Sequence, residues 1–313
     1  MAQDNFADRL LAAIDKKNTP LVVGLDPVYA SLPEVIRTNK NFNDPSDAQA
    51  AVDAMVEFST KVLKVVAAHV AAVKINSAFF ESYLSAGVEG YSAVVQEAGA
   101  HGLIVIGDAK RGDVGNTAQH YATATLADPD FVGLDDQVAP DAVTVNAYMG
   151  RDSVQPFLDV AREYGKGVFA LVRTSNPGAA EIQDVKLANG EPLYLHIGKL
   201  VASWGADSVG DRGYSCLGAV VGATNAEQLA ELRKALPQTL FLVPGLGAQG
   251  GTAADAAKAF KSDGTGAIIN SSRAIIYAYA DGKYKDVAGS NWEKAIELAV
   301  LETKKSLNEA LGR

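Results

Sequence analysis

Cysteine is almost missing from this sequence. Cys216 is the single one in 313 residues, so no disulfide can form within one chain, and a reducing cytoplasm is the expected setting. It stands in the apolar run Cys216-Leu217-Gly218-Ala219-Val220-Val221, where a small buried hydrophobe is expected rather than a nucleophile. Histidine is scarce as well. His69, His101, His120 and His196 lack metal-ligand spacing and one thiol offers no cluster, so no metal is expected, and with no convincing motif for pyridoxal phosphate or thiamine no organic cofactor is expected. No apolar run approaches the length of a membrane span, and Met1 to Arg9 lack a basic region leading into an apolar one, so no secretory leader is expected. Positive charge is in deficit: the formal net charge is -9. That balance repels nucleic acid and anionic membranes, so any anionic ligand must be held by local positive charge against the global field.

What remains is ordinary for a globular enzyme, with 48% hydrophobic and 21% charged residues, enough for a core that needs no staples. Short apolar runs at 21–25, 72–75, 103–107, 142–145, 167–172, 217–221, 240–243 and 267–269 read as strands buried on both faces. Helical patterns lie between them, for example 48–71, 114–127, 153–164, 226–236 and 252–260. Strand and helix alternating eight times imply a parallel sheet with right-handed crossovers, and eight strands close a barrel. The fold expected is therefore α/β, a (β/α)8 TIM barrel forming one domain over 1–313, with an open doubly wound sheet as runner-up. Extra helices are expected at 6–16 and 291–311. The stretch 174–192 carries the turn signals Asn176-Pro177-Gly178 and Asn189-Gly190 and is long enough to be a lid after strand five.

The chemistry is expected where strand ends converge on one mouth. Strand one ends in Gly24-Leu25-Asp26-Pro27, strand two in Val73-Lys74-Ile75-Asn76, and strand three in Gly107-Asp108-Ala109-Lys110-Arg111-Gly112-Asp113. Asp108 and Lys110, two apart, face the same side of an extended segment. Burying such charges is costly unless they are paired, and alternating lysines and aspartates would neutralise one another. Gly245, Gly247, Gly250 and Gly251 follow strand seven and let backbone N–H groups approach an anion, and Arg273 after strand eight can fork onto phosphate oxygens. The loops after strands seven and eight are the recurrent phosphate cradle of this fold.

The run Asp108-Ala-Lys110-Arg-Gly-Asp113-Val-Gly-Asn-Thr117-Ala resembles the active-site signature of orotidine 5′-monophosphate decarboxylases, especially their longer bacterial branch. The likeness extends from Leu21-Val-Val-Gly-Leu-Asp26-Pro27 through Pro244-Gly-Leu-Gly-Ala-Gln249-Gly-Gly251 to Asn270-Ser-Ser-Arg273. It implies a cofactor-free carboxy-lyase of pyrimidine biosynthesis, acting on a nucleotide as a homodimer. It also implies roles. Asp26 would hydrogen-bond the ribose, Lys74 would join the charged network, and Asp108 would face the substrate carboxylate. Lys110 would donate the proton, and Asp113 and Thr117 would serve the neighbouring subunit's site. Ser175, or its neighbour Thr174, would contact the pyrimidine, Gln249 would link base to phosphate, and Arg273 would bind phosphate. Two rivals are a magnesium-dependent sugar-phosphate decarboxylase or aldolase of the same suprafamily and a non-catalytic nucleotide-binding barrel. Lysine at position 74, where the former carries an acidic metal ligand, opposes a divalent cation.

Overall fold

The computed structural model describes residues 4–39, 46–128, 131, 137–247 and 250–313. Eight strands run in parallel: β1 (Leu21–Leu25), β2 (Ala72–Asn76), β3 (Ile104–Arg111), β4 (Ala142–Val145), β5 (Gly167–Arg173), β6 (Leu217–Val221), β7 (Phe241–Pro244) and β8 (Ala267–Ser271). Each pairs with the next, and β8 returns to β1 with Val22 opposite Asn270, so the sheet is a closed (β/α)8 barrel. The strands form where Val, Ile, Leu and Ala can be covered on both faces: every residue of β1, β4, β6 and β8 is buried.

The strand ends carry the differences from expectation. β3 continues past Gly107 to Arg111, and β8 continues through Asn270 and Ser271, which are polar yet buried. Lys110 does not share the extended conformation expected of its segment, because its φ of 47° is left-handed. The helix expected over 48–71 stops as Ala48–Val66, and the one over 252–260 is only Ala253–Ala257. Helices Leu84–Ala100 and Leu193–Trp204 complete the ring, and the long stretch after β5 holds a short helix, Ala179–Gln183.

The N-terminal helix Phe6–Lys17 closes the barrel's lower end. Phe6, Leu10 and Ile14 recur on one face and are buried, while Asn5 caps the first turn by accepting from the Ala7 N–H. The Phe6 ring packs edge-on against Phe169 of β5, with centroids 5.9 Å apart. That approach requires glycine at 167, since a Cβ there would run into the Phe6 ring. Arg9 ties the helix to Asp141 at 2.9 Å, and Asp8 accepts from the backbone N–H groups of Asp211 and Arg212 at 2.8 Å. The C-terminal helix Trp292–Ala310 packs outside the barrel, where Trp292 stacks on Phe58 at 5.5 Å. Cys216 is buried, and burial pushes its thiol up, away from nucleophilic character.

Candidate active site

At the C-terminal ends of the strands the mouth opens into a cavity of about 530 Å³. Its floor is divided. Lys74 of β2, Asp108 of β3 and Thr144 of β4 line one side, and Leu171 of β5, Val220 of β6 and Leu242 of β7 line the other. The polar side is one connected cluster. Asp108 accepts from Lys74 Nζ on Oδ2 at 2.7 Å and from Lys110 Nζ on Oδ1 at 2.6 Å. Thr144 Oγ1 also donates to Asp108 Oδ1, at 2.9 Å. Asp26, just after β1, lies 3.9 Å from Lys74 Nζ, and its own Oδ1 is buried without a hydrogen-bond partner among the described residues. Such an oxygen can accept from a ligand hydroxyl.

Exposure grades the two lysines. Lys74 is 5% exposed and Asp108 7%, whereas the Lys110 side chain is 47% exposed and reaches into the open cavity. Burial alone would push the Asp108 carboxyl up, but Lys74 and Lys110 together outweigh it and hold the carboxyl well below the usual carboxylate range. Burial pushes the Lys74 ammonium down, and Asp108 followed by Asp26 more than reverses this, leaving Lys74 above its ordinary value. Both groups are thus charged at neutral pH.

A pH dependence follows. Because its folded-state value is depressed, Asp108 contributes stability that is complete above the ordinary carboxylate range, near about 4, and is lost as the pH falls through the lower folded-state value. In unfolding measured from pH about 5 down to about 2, Asp108→Asn should lose less stability than the wild type across that window. Identical acid slopes for the two would contradict this.

The cavity wall after β7 and β8 carries groups that could receive an anion. Gly245 and Gly247 have φ of 107° and 78°, values that open the backbone after β7 to close approach. Arg273 stands beside them after β8, exposed, with no carboxylate partner among the described residues. Ser175 and Thr174 enter from the loop after β5. Ser175 lies so close to β6 that a Cβ on Gly222 would be 2.8 Å from its own Cβ. Thr174 is already engaged: Gln183 Oε1 accepts its N–H at 2.8 Å, and Gln183 Nε2 donates to its hydroxyl at 2.9 Å. That hydroxyl in turn donates to Asn176 Oδ1 at 2.6 Å.

Of the residues expected from sequence, the cavity therefore gathers Asp26, Lys74, Asp108, Lys110, Ser175 and Arg273. Asp113 and Thr117 are not among its walls. Asp113 Oδ1 accepts from the Val114 N–H at 2.8 Å, and Thr117 is exposed on helix Gly115–Leu126. Gln249 lies outside the described residues. Sequence reasoning missed Asn76, Thr144, Gln183 and Asn270, which also line the cavity. Asn76 was visible at a strand end, and Thr144 was the lone hydroxyl in an apolar strand. Among the described residues no group of three or more His, Cys, Asp or Glu could hold a metal ion, and the donor set present pairs each buried carboxylate with an ammonium.

Comparison with known proteins adds an independent line. The model of the orotidine 5′-phosphate decarboxylase / HUMPS family matches residues 19–284. An orotidine 5′-phosphate decarboxylase of Rhodopirellula baltica is 41% identical over 305 residues, covering 96% of this chain and 98% of that protein. One from Caldicellulosiruptor saccharolyticus is 36% identical over 309 residues, covering 98% and 99%. The solved structure of Leishmania donovani OMP decarboxylase superposes with a TM-score of 0.73 at 29% identity, covering 99% of both chains.

Proposed function

The chain belongs to the orotidine 5′-phosphate decarboxylase family, and from that premise we propose how its own residues remove CO2 from orotidine 5′-monophosphate to leave uridine 5′-monophosphate, a step of pyrimidine biosynthesis. The observation that carries the reading is the Lys74–Asp108–Lys110 cluster at 2.7 and 2.6 Å, on the floor of a cavity whose other end is Arg273. The C6–carboxylate bond breaks with its electron pair left on ring carbon six, in the ring plane, where the π-system cannot take it up. The Lys110 ammonium is assigned to stabilise that charge and then transfer a proton to it. Asp108 keeps Lys110 charged and aimed, and Lys74 keeps Asp108 ionised. Asp26 and Lys74 are assigned to the ribose, and Arg273 with the Gly245 turn to the phosphate. Ser175 is assigned to the base, since the polar groups of Thr174 are already committed to Gln183.

The direct test is loss of orotidine 5′-monophosphate absorbance on adding purified, metal-stripped protein. Full activity is expected, unchanged by chelator. Activity that appears only with magnesium would favour the metal-dependent branch of the suprafamily, a reading the buried Lys74 ammonium opposes.

The active form is assigned as a homodimer in which Asp113 and Thr117 reach the neighbouring site. Their position outside their own cavity, directly after β3, supports this. Mixing Lys110→Ala with Asp113→Ala subunits should then restore activity, because each mixed dimer keeps one intact site, giving about a quarter of wild type. A mixture no better than its components would exclude a shared site. The stretch 174–192, in which Gln183 pins Thr174, is assigned as the lid over the bound nucleotide. No helix among the described residues is long and apolar enough to cross a membrane. The single buried thiol fits a cytoplasmic setting.

A further inference from the structure

The pairing of β3 with β4 is irregular at the residues assigned to chemistry. Gly107 lies opposite Val143 and Arg111 opposite Val145, so three residues of β3 (Asp108, Ala109 and Lys110) face a single residue of β4, Thr144. A bulge of this kind bends the strand and leaves backbone groups outside the ladder. Here the orphaned group is the Lys110 N–H, on a backbone held at a φ of 47°, and it donates to Thr144 Oγ1 at 2.9 Å. The same oxygen donates its one proton to Asp108 Oδ1 at 2.9 Å. Thr144 is 1% exposed, so water does not substitute for it. Asp108 Oδ1 is also the oxygen that holds Lys110 Nζ, at 2.6 Å.

We propose that Thr144 is a positioning residue for decarboxylation: its hydroxyl replaces the missing ladder bond of the bulge and fixes both the main chain of Lys110 and the carboxylate that aims the Lys110 ammonium. One oxygen thereby closes a ring through the Lys110 backbone, the Lys110 side chain and Asp108. Without it the part-buried Lys110 N–H loses its protein partner, the left-handed turn loses its local support, and Asp108 keeps only its two lysine partners. Thr144 touches neither the ring carbon nor its leaving group in this assignment and acts through Lys110 and Asp108. The inference rests on the assignment of Lys110 as proton donor.

The test compares Thr144→Val, which keeps the shape and removes the hydroxyl, with Thr144→Ser, which keeps the hydroxyl. For T144V, kcat should fall by about 10²-fold, as expected when a catalytic group is displaced by roughly an ångström. KM and the Kd for uridine 5′-monophosphate should stay within about threefold, because the phosphate grip is untouched. T144S should stay within about threefold of wild type in kcat, a rescue that a methyl-packing role would not give. The acid limb of the T144V rate profile should also move to higher pH, since Asp108 has lost a donor to its charged form. The proposal is overturned if T144V keeps kcat within about threefold, or if T144S is as impaired as T144V. Should T144V not fold, T144S still decides, because a hundredfold loss with the hydroxyl present sinks the idea. Lys110→Ala measured in parallel separates the two levels. An active K110A refutes the donor assignment itself, whereas an inactive K110A beside a fully active T144V refutes only the role of Thr144.

Discussion

Lys110→Ala is expected to lower turnover by at least about 10⁴-fold while the affinity for uridine 5′-monophosphate changes by less than about tenfold. Two effects are lost together. The ammonium no longer stabilises the electron pair on ring carbon six, and no proton donor remains at that carbon. Each is worth about 10² to 10⁴ in other enzymes, and here both come from one nitrogen. Asp108 would keep Lys74 at 2.7 Å and Thr144 at 2.9 Å, so the cluster should not collapse. Lys110 is half exposed, and its loss buries no new unpaired charge apart from the one Asp108 already shares with Lys74. Product binding is expected to be retained because the phosphate is assigned to Arg273 and the Gly245 turn, not to Lys110. Single-turnover measurement by absorbance and product titration by calorimetry read the two quantities separately. Turnover within tenfold of wild type would refute the assignment.

Arg273→Ala should divide substrates. With the full nucleotide, kcat/KM should fall by about 10³-fold or more, whereas with orotidine, which lacks the phosphate, the two enzymes should agree within about threefold. The reason is distance from the chemistry. Arg273 and the turn at Gly245 occupy the end of the cavity away from Lys110, so phosphate binding energy acts on orientation and closure rather than on the breaking bond. Arg273 is exposed and has no carboxylate partner among the described residues, so its removal should leave the melting temperature nearly unchanged. Equal losses for both substrates would show that Arg273 acts on the reacting ring instead.

Most of the barrel was legible because strands covered on both faces are short apolar blocks, and β1, β4 and β6 have the limits read from sequence. Reading failed where a strand ends in polar residues turned inward. Asn270 and Ser271 look like loop until the barrel buries them, and Asp108 to Lys110 extend β3 past its apolar block, with the Lys110 N–H bonded to Thr144. Helix Leu84–Ala100, which fills the expected place between β2 and β3, forms despite Gly87, Gly90 and Gly99, because tertiary packing overrides their weak intrinsic propensity. For the site, charged residues at strand ends were conspicuous, since nothing but pairing justifies burying them. Thr144 and Gln183 gave no such signal. Their importance lies in which atoms they meet across the fold, and neither spacing nor composition encodes a hydrogen bond between residues 36 or 9 positions apart.

The aromatic seal made by Phe6 and Phe169 has a kinetic corollary. With both rings buried, aromatic side chains plug the barrel's lower end, so in the proposed reaction carbon dioxide and the finished nucleotide would depart through the entrance that admitted the substrate. If the loop after β5 is the lid, that doorway is hung on Thr174 with Gln183 as its catch. Traffic in both directions would then pass the same few hydrogen bonds, and loosening them should change how quickly product leaves without touching the groups assigned to bond breaking.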